Sequence, residues 1–249
     1  MNEMELLVDL HRHTNRQGPG SQEDTIRALS FVDFHNNTEL NTADIGCGTG
    51  GQTLTLAGQI GGKITAVDLF PQFLEELETR AIEVGISDRI ITHAGSMDRL
   101  PFQKESLDLI LSEGAVYIMG FEKGIKAWNH YLKKGGYLAV TEITWITNER
   151  PNEVEAFWAD QYAHMGTASQ KIQELEKSGY NLVGYFNLKP SSWLDNYYRP
   201  LEKQIPEFLE RHAHSELAVN VVKEHRDEMA FFEKYSEYYS YGFYIARKN

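Results

Sequence analysis

Cysteine is almost absent from this sequence: Cys47 is the only one, so no intramolecular disulfide can form and a secreted, disulfide-stapled framework is excluded. Basic residues are in short supply as well. Lys and Arg total 24 against 36 Asp and Glu, a formal net charge of -12. That balance argues against nucleic acid or an anionic membrane as partner, because phosphate binding needs a Lys/Arg surface. No apolar run reaches the length that crosses a bilayer. The acidic start Met1-Asn2-Glu3-Met4-Glu5 lacks the basic segment and apolar run of a leader. Internal repeats, low-complexity tracts and linkers are missing too. The expectation is a cytoplasmic protein with a small-molecule substrate, no nucleic-acid or membrane partner, and a composition compatible with a homodimer.

What is present is a globular chain of 249 residues, 41% hydrophobic and 24% charged, long enough for one α/β domain with a good core. Leu6, Leu7 and Leu10 share a helical face. The Gly18-Pro19-Gly20 loop follows, and Ser21 with Asp24 signals a helix start, predicting a helix over about 22–34. From there β-rich runs at Thr42–Ile45, Ile64–Asp68, Ile90–His93, Leu107–Leu111 and Tyr137–Thr141 alternate with helical stretches near 51–58, 71–84 and 121–133. Strands apolar on both faces and separated by helices predict a Rossmann-like, doubly wound, mostly parallel sheet. After Glu142 the pattern changes. Helices over about 152–164 and from Thr167 to near Gly179, a strand at Asn181–Leu188, an aromatic irregular stretch at Pro190–Tyr198, long helical sequence to about 236 and a last strand at Tyr241–Arg247 are expected. The division read from this is one domain: a lid segment over 1–34, helical cap insertions over 143–180 and 189–238, and a C-terminal antiparallel strand.

Asp44-Ile45-Gly46-Cys47-Gly48-Thr49-Gly50 leads from a strand into a helix. Glycines there let the backbone turn sharply and approach a ligand, and the helix N-terminus offers free N–H groups. The pattern also fits a dinucleotide site, with Asp68 at a suitable distance for ribose hydroxyls. Asp44 discriminates: a carboxylate before the loop repels a pyrophosphate but suits a ligand carrying an ammonium and a sulfonium, as S-adenosylmethionine (SAM) does. It could also simply brace the loop N–H groups. Cys47, a small filler of the loop, and Gln52 are candidate cofactor-binding residues with it, and Leu69 could lie against adenine.

The motifs Asp44-x-Gly46-x-Gly48-x-Gly50, Ala66-Val67-Asp68, Leu100-Pro101-Phe102, Leu107-Asp108-Leu109-Ile110 and Leu132-Lys133-Lys134-Gly135-Gly136 occur in one order. In them the chain resembles class I SAM-dependent methyltransferases, particularly the small-molecule branch of the ubiquinone/menaquinone C-methyltransferase type. Arg16–Ser21 and Ser112–Ala115 look like a bacterial subgroup of the same class. The resemblance implies SAM as cofactor, with Gly46 to Gly50 cradling its methionine part and Asp68 holding its ribose. It implies an adenine contact after the third strand, where Ser96 replaces the family's common Asp beside Met97, and it faces Ser112 and Glu113 toward the sulfonium and substrate. An NAD-dependent oxidoreductase and a SAM-binding module without turnover are the alternatives.

Methyl transfer needs alignment and water exclusion more than a base. Glu113 is the first candidate base and Glu142 the second, and each could instead bond a loop. Arg16, Gly18 and Pro19 are candidate lid residues, with Arg16 able to meet a carboxylate. Tyr117, Trp145, Trp193, Tyr197 and Tyr198 are candidates for an aromatic acceptor pocket or for cap core. The pairs His11/His13 and His212/His214 lack companion ligands, so no metal is expected and they read as surface histidines.

Overall fold

The computed structural model describes residues 2–34 and 39–249. Helices α1 (Glu3–His11) and α2 (Gln22–Leu29) come first, and β1 (Asn41–Ile45), α3 (Gly51–Gln59), β2 (Lys63–Asp68), α4 (Pro71–Glu83), β3 (Ile90–Ala94), β4 (Leu107–Ser112), α5 (Phe121–Asn129) and β5 (Leu132–Trp145) form the alternating half. The rest is α6 (Asn152–Gln161), β6 (Gly166–Thr167), α7 (Ala168–Lys177), β7 (Tyr180–Asn187), α8 (Pro190–Trp193), a π turn (Leu194–Tyr198), α9 (Arg199–Glu202), α10 (Ile205–Arg211), α11 (Glu216–Tyr235) and β8 (Tyr239–Lys248).

The strands lie in the order β3-β2-β1-β4-β5-β8-β7, with β6 paired to the end of β5. β1 to β5 are parallel, and β8 runs antiparallel to both β5 and β7. This is the Rossmann-like architecture expected from the sequence. Strand order reverses between β1 and β4, which opens a crevice at their carboxyl ends, the place where such sheets bind ligands.

The period-2 alternation of each strand feeds two cores. Ala43, Ile45, Ile110, Leu138, Val140 and Tyr244 face α5 and α7, packing with Ile125, Trp128 and Leu175. Leu109, Leu111, Ala139, Phe243 and Ile245 face the other way, onto Ala28 and Leu29 of α2 and Leu56 and Ala57 of α3. Both α2 and α7 therefore pack against the sheet. α1, α6 and the helices after β7 pack together as a separate helical layer, where the sequence leads one to expect a cap. In the cap, α1 lays Leu6 and Leu10 against Leu201, Phe208, Val221 and Val222. Ser215 caps α11, its side chain accepting from the Ala218 amide, and Ala218, Val222, His225, Phe232 and Tyr235 give that helix a buried stripe.

Several boundaries differ from the sequence reading. The 22–34 helix stops at Leu29, and the 121–133 helix stops at Asn129 because Leu132 already pairs with Leu107. The Lys133–Gly136 turn is a bulge inside β5, with Gly135 at φ +77° and Lys133 bound to Asp108 at 2.8 Å. The 190–198 stretch, expected to be irregular, is helical, with a π turn carrying Tyr197 and Tyr198. Among the described residues, no helix is long and apolar enough to cross a membrane.

Candidate functional site

The glycine loop leaves β1 under tight local control. The Gly46 and Cys47 amides both donate to Val67 O, at 2.8 and 3.0 Å. Gly46 has φ +73°, and a Cβ there would stand 2.3 Å from the Ala115 Cβ. Gly48 has φ +54°, and its Cβ would meet Gln17 Oε1 at 2.0 Å. Side chains are thus excluded from two consecutive turns of the loop, and its backbone borders a cavity of about 470 Å³.

Asp68, at the end of β2, anchors that loop. Its Oδ2 accepts from the Gly48 amide at 2.8 Å and its Oδ1 from the Phe70 amide at 3.0 Å. Burial raises its pKa while these bonds oppose the rise. Each carboxylate oxygen keeps a second lone pair, and Asp68 lines the cavity. Cys47 and Gln52 line it as well, as do Leu69, Ser96 and Met97 further along; the Trp128 indole N–H holds the Met97 carbonyl at 3.1 Å. The Cys47 thiol is buried, and burial pushes its pKa up, so it is no nucleophile. Gly50 lies behind the wall as the left-handed N-cap of α3.

Asp44 is fully buried beneath the loop and is not on the cavity wall. Thr53 donates to its Oδ2 at 2.6 Å, whereas Oδ1 has no hydrogen-bond partner within the chain. Burial, with Glu113 nearby, pushes its pKa up to about 7.

The segment before α2 closes one side of the cavity. Arg16 is buried with its Nη1 2.7 Å from Glu113 Oε2, and its Nη2 donates to Ser21 O and Thr25 Oγ1, each at 3.1 Å. Thr25 donates to the other Glu113 oxygen at 2.7 Å. Gln17 clasps Thr49, accepting from its amide at 2.7 Å and donating to its hydroxyl at 3.0 Å. Arg80 ties Thr49 and Thr14 together from α4. Gly18 and Pro19 line the cavity that these contacts shut. The roles of Gln17 and Arg80 are not legible in the sequence, since the Thr49 they share lies 32 and 31 residues from them.

Four expectations change here. Glu113 has both oxygens committed to Arg16 and Thr25, so it anchors the lid and is not a free base. Arg16 lines the cavity but is already paired with Glu113, so only its remaining N–H groups could meet a ligand carboxylate. Ser112 faces away from the cavity and donates to Ile45 O at 2.8 Å, tying β4 to β1. Glu142 is wholly buried off the cavity wall, accepting from Tyr162 at 2.8 Å with Lys171 Nζ 3.4 Å away.

Of the aromatic candidates, Tyr117 lines this cavity and a neighbouring one of about 760 Å³, and Tyr197 lines the second. Trp193 and Tyr198 are buried cap core, with Trp193 stacked on Phe232 at 4.4 Å, and Trp145 packs on Tyr239 under Arg150. Two histidines are not surface groups. His11 lines the second cavity, and His212 bonds Asp9 at 2.8 Å. Among the described residues no three His, Cys, Asp or Glu side chains cluster as a metal site.

The buried carboxyls set a pH dependence. Burial pushes Glu142, like Asp44, up to about 7. A folded-state pKa above the unfolded one gives stability that is complete below the unfolded value and lost as pH rises through the folded value. Asp44→Asn should therefore gain on wild type between about pH 5 and 7, by up to about 1.4 kcal/mol per pH unit. Urea unfolding at pH 5, 6, 7 and 8 measures that difference; a gap that stays constant with pH would contradict the assignment.

Residues 43–140 match the Methyltransf_11 family, a methyltransferase domain. The chain is similar to the biotin biosynthesis bifunctional protein BioHC of Teredinibacter turnerae, 27% identical over 161 residues, which cover 59% of this chain and 27% of that one. A sterol 4-C-methyltransferase of Caenorhabditis elegans is 33% identical over 101 residues, 40% of this chain and 30% of that protein. The chain spans about a third or less of these curated relatives. In fold it is similar to a SAM-dependent methyltransferase from Geobacter sulfurreducens crystallised with S-adenosyl-L-homocysteine, with a TM-score of 0.84, 18% identity and 98% of each chain covered.

Proposed function

We propose that this protein, whose residues 43–140 match a methyltransferase domain, is a class I enzyme that transfers a methyl group from SAM to a small-molecule acceptor and releases S-adenosylhomocysteine. The observation that carries this reading is the side-chain-free loop Gly46–Gly48, held by Asp68 at the cavity wall, within a stretch that matches a methyltransferase domain. The buried Asp44 beneath that loop suits a ligand bearing an ammonium and a sulfonium and opposes a pyrophosphate. An NAD-dependent oxidoreductase is disfavoured on the same ground.

The loop Gly46–Gly48 would take the methionine part, supported from behind by Gly50 and Gln52. Asp68 would hold the ribose with the lone pairs that its loop amides leave free, and Leu69, Ser96 and Met97 would flank the adenine. When bound, SAM supplies a methyl carbon activated by its sulfonium. The chain's own task is to align the acceptor and exclude water. Arg16, Glu113 and Gln17 do the second by fixing the N-terminal segment over the cavity. Tyr117, shared by the two cavities, stands where acceptor and donor would meet. Kinship with the ubiquinone/menaquinone C-methyltransferase branch is a finer reading, supported by the ordered motifs from Asp44 to Gly136.

Incubation with methyl-labelled SAM and a metabolite extract tests the proposal. A labelled low-molecular-weight product that forms with wild type and is lost in Asp68→Ala is expected. SAM binding with no labelled product from any extract would favour a binding module without turnover.

A further inference from the structure

The second cavity lies between α1, α6 and α11 and meets the first at Leu7 and Tyr117. Its wall combines two features that rarely coincide by accident. Phe157, Trp158, Tyr162, Tyr197, Phe231 and Tyr241 surround it with aromatic faces, and Glu224, Asp227 and Glu228 of α11 supply carboxylates. No lysine or arginine is among the described residues that line it. Lys223 answers Asp227 from one turn away on the outer face, at 2.5 Å.

The remaining titratable groups add no positive charge. Burial depresses His11, and burial with His11 beside it depresses His225 to about 4, so both rings are neutral near neutral pH. His225 is only 6% exposed, lines the cavity, and its Nε2 has no hydrogen-bond partner. The Trp158 indole nitrogen is equally unpartnered. Glu228 accepts from the Tyr198 hydroxyl at 2.8 Å and otherwise opens onto the cavity, and burial raises its pKa.

We infer that this cavity is the acceptor subsite and that the acceptor is a cationic amine, with Glu228 as counter-charge, the aromatic ring as a cation–π cage and His225 Nε2 as an acceptor for its N–H. A carboxylate or phosphate ligand would face three acidic side chains with no cation to receive it. A neutral apolar ligand would leave His225 Nε2 without a partner and desolvate a carboxylate held by the Tyr198 hydroxyl alone. An ammonium has no lone pair to give. Passing one proton to the Glu228 carboxylate converts it to the neutral amine and leaves Glu228 as the carboxylic acid; the nitrogen pair would then form the N–CH3 bond as the S–CH3 bond of SAM breaks, its electrons returning to sulfur in S-adenosylhomocysteine and the positive charge passing to the methylated nitrogen. A carboxyl with a raised pKa suits that exchange.

The inference rests on the methyltransferase reading, so the test separates the two. S-adenosylhomocysteine is titrated first, and a failure at that step counts against the function itself. The loaded protein is then titrated with three near-isosteric probes: 2-phenylethylamine, 2-phenylethanol and 3-phenylpropionate. The amine is expected to bind at least tenfold tighter than the alcohol, with the acid weakest. Glu228→Gln should erase most of that preference while leaving nucleoside affinity unchanged. The wild-type ranking stands as a test even if the variant does not fold. Equal or tighter binding of the alcohol or the acid, binding of none of the three, or a preference that survives in a folded Glu228→Gln would each overturn the inference.

Discussion

Replacing Asp68 by Ala should weaken S-adenosylhomocysteine binding by about 100-fold, the largest effect expected from any single change at the first cavity. Two contributions add. The substitution frees the Gly48 and Phe70 amides that Asp68 now holds, so the loop loses the bonds that set its curvature. It also removes the carboxylate lone pairs that open onto the cavity. Hydrogen bonds to a charged group are worth roughly 1.5–3 kcal/mol each, and a tenfold change costs about 1.4 kcal/mol. Losing one ligand bond and part of the loop order gives the stated factor. Asp68→Asn separates the two: its amide cannot accept from both N–H groups at once, yet it keeps the shape. Its affinity should fall between wild type and Asp68→Ala by calorimetry. Equal affinity in all three would remove Asp68 from the site.

The second large effect concerns the lid. Arg16→Met leaves Glu113 buried without its partner, and breaking a buried pair from one side costs about 3–5 kcal/mol. In a chain of this size each kcal/mol shifts the melting temperature by roughly 2–4 °C, so a fall on the order of 10 °C is expected. Glu113→Gln should do much the same, stranding Arg16. The double variant Arg16→Met/Glu113→Gln should recover most of the loss, because no unpaired charge remains. Calorimetric melting of the four proteins measures the coupling. If Glu113 were instead a free base, Glu113→Gln would melt with wild type and lose only turnover, and the double variant would recover nothing.

What the sequence made legible follows from the range over which each feature acts. The alternation of β1 to β5 with their helices is local, and the loop from Asp44 to Gly50 is contiguous, so sheet, crevice and loop could be read directly. Ser21 capping α2 was legible for the same reason, as its side chain accepts from the Asp24 amide three residues on. Glu113 could not be read correctly, because its meaning depends on Arg16, 97 residues earlier. Glu142 is similar: its position after a strand resembles that of a catalytic acid, but Lys171 and Tyr162 reach it from α7 and the end of α6. The second cavity was the least visible. Tyr162, Tyr197, His225 and Glu228 are spread over three elements with no shared motif, and only the packing of the end of α6, the π turn and α11 brings them together. Tyr117 and Tyr197 were picked out as aromatics alone, and Trp193 was picked out on the same ground although it serves the cap core.

Parallel calorimetric titration with S-adenosylhomocysteine and NADH decides whether the glycine loop with Asp44 and Asp68 forms a SAM site. One S-adenosylhomocysteine per chain, bound in the first cavity and competed by SAM, is expected, with no heat from NADH. Saturable NADH binding, or no binding of either adenosyl compound, would contradict it.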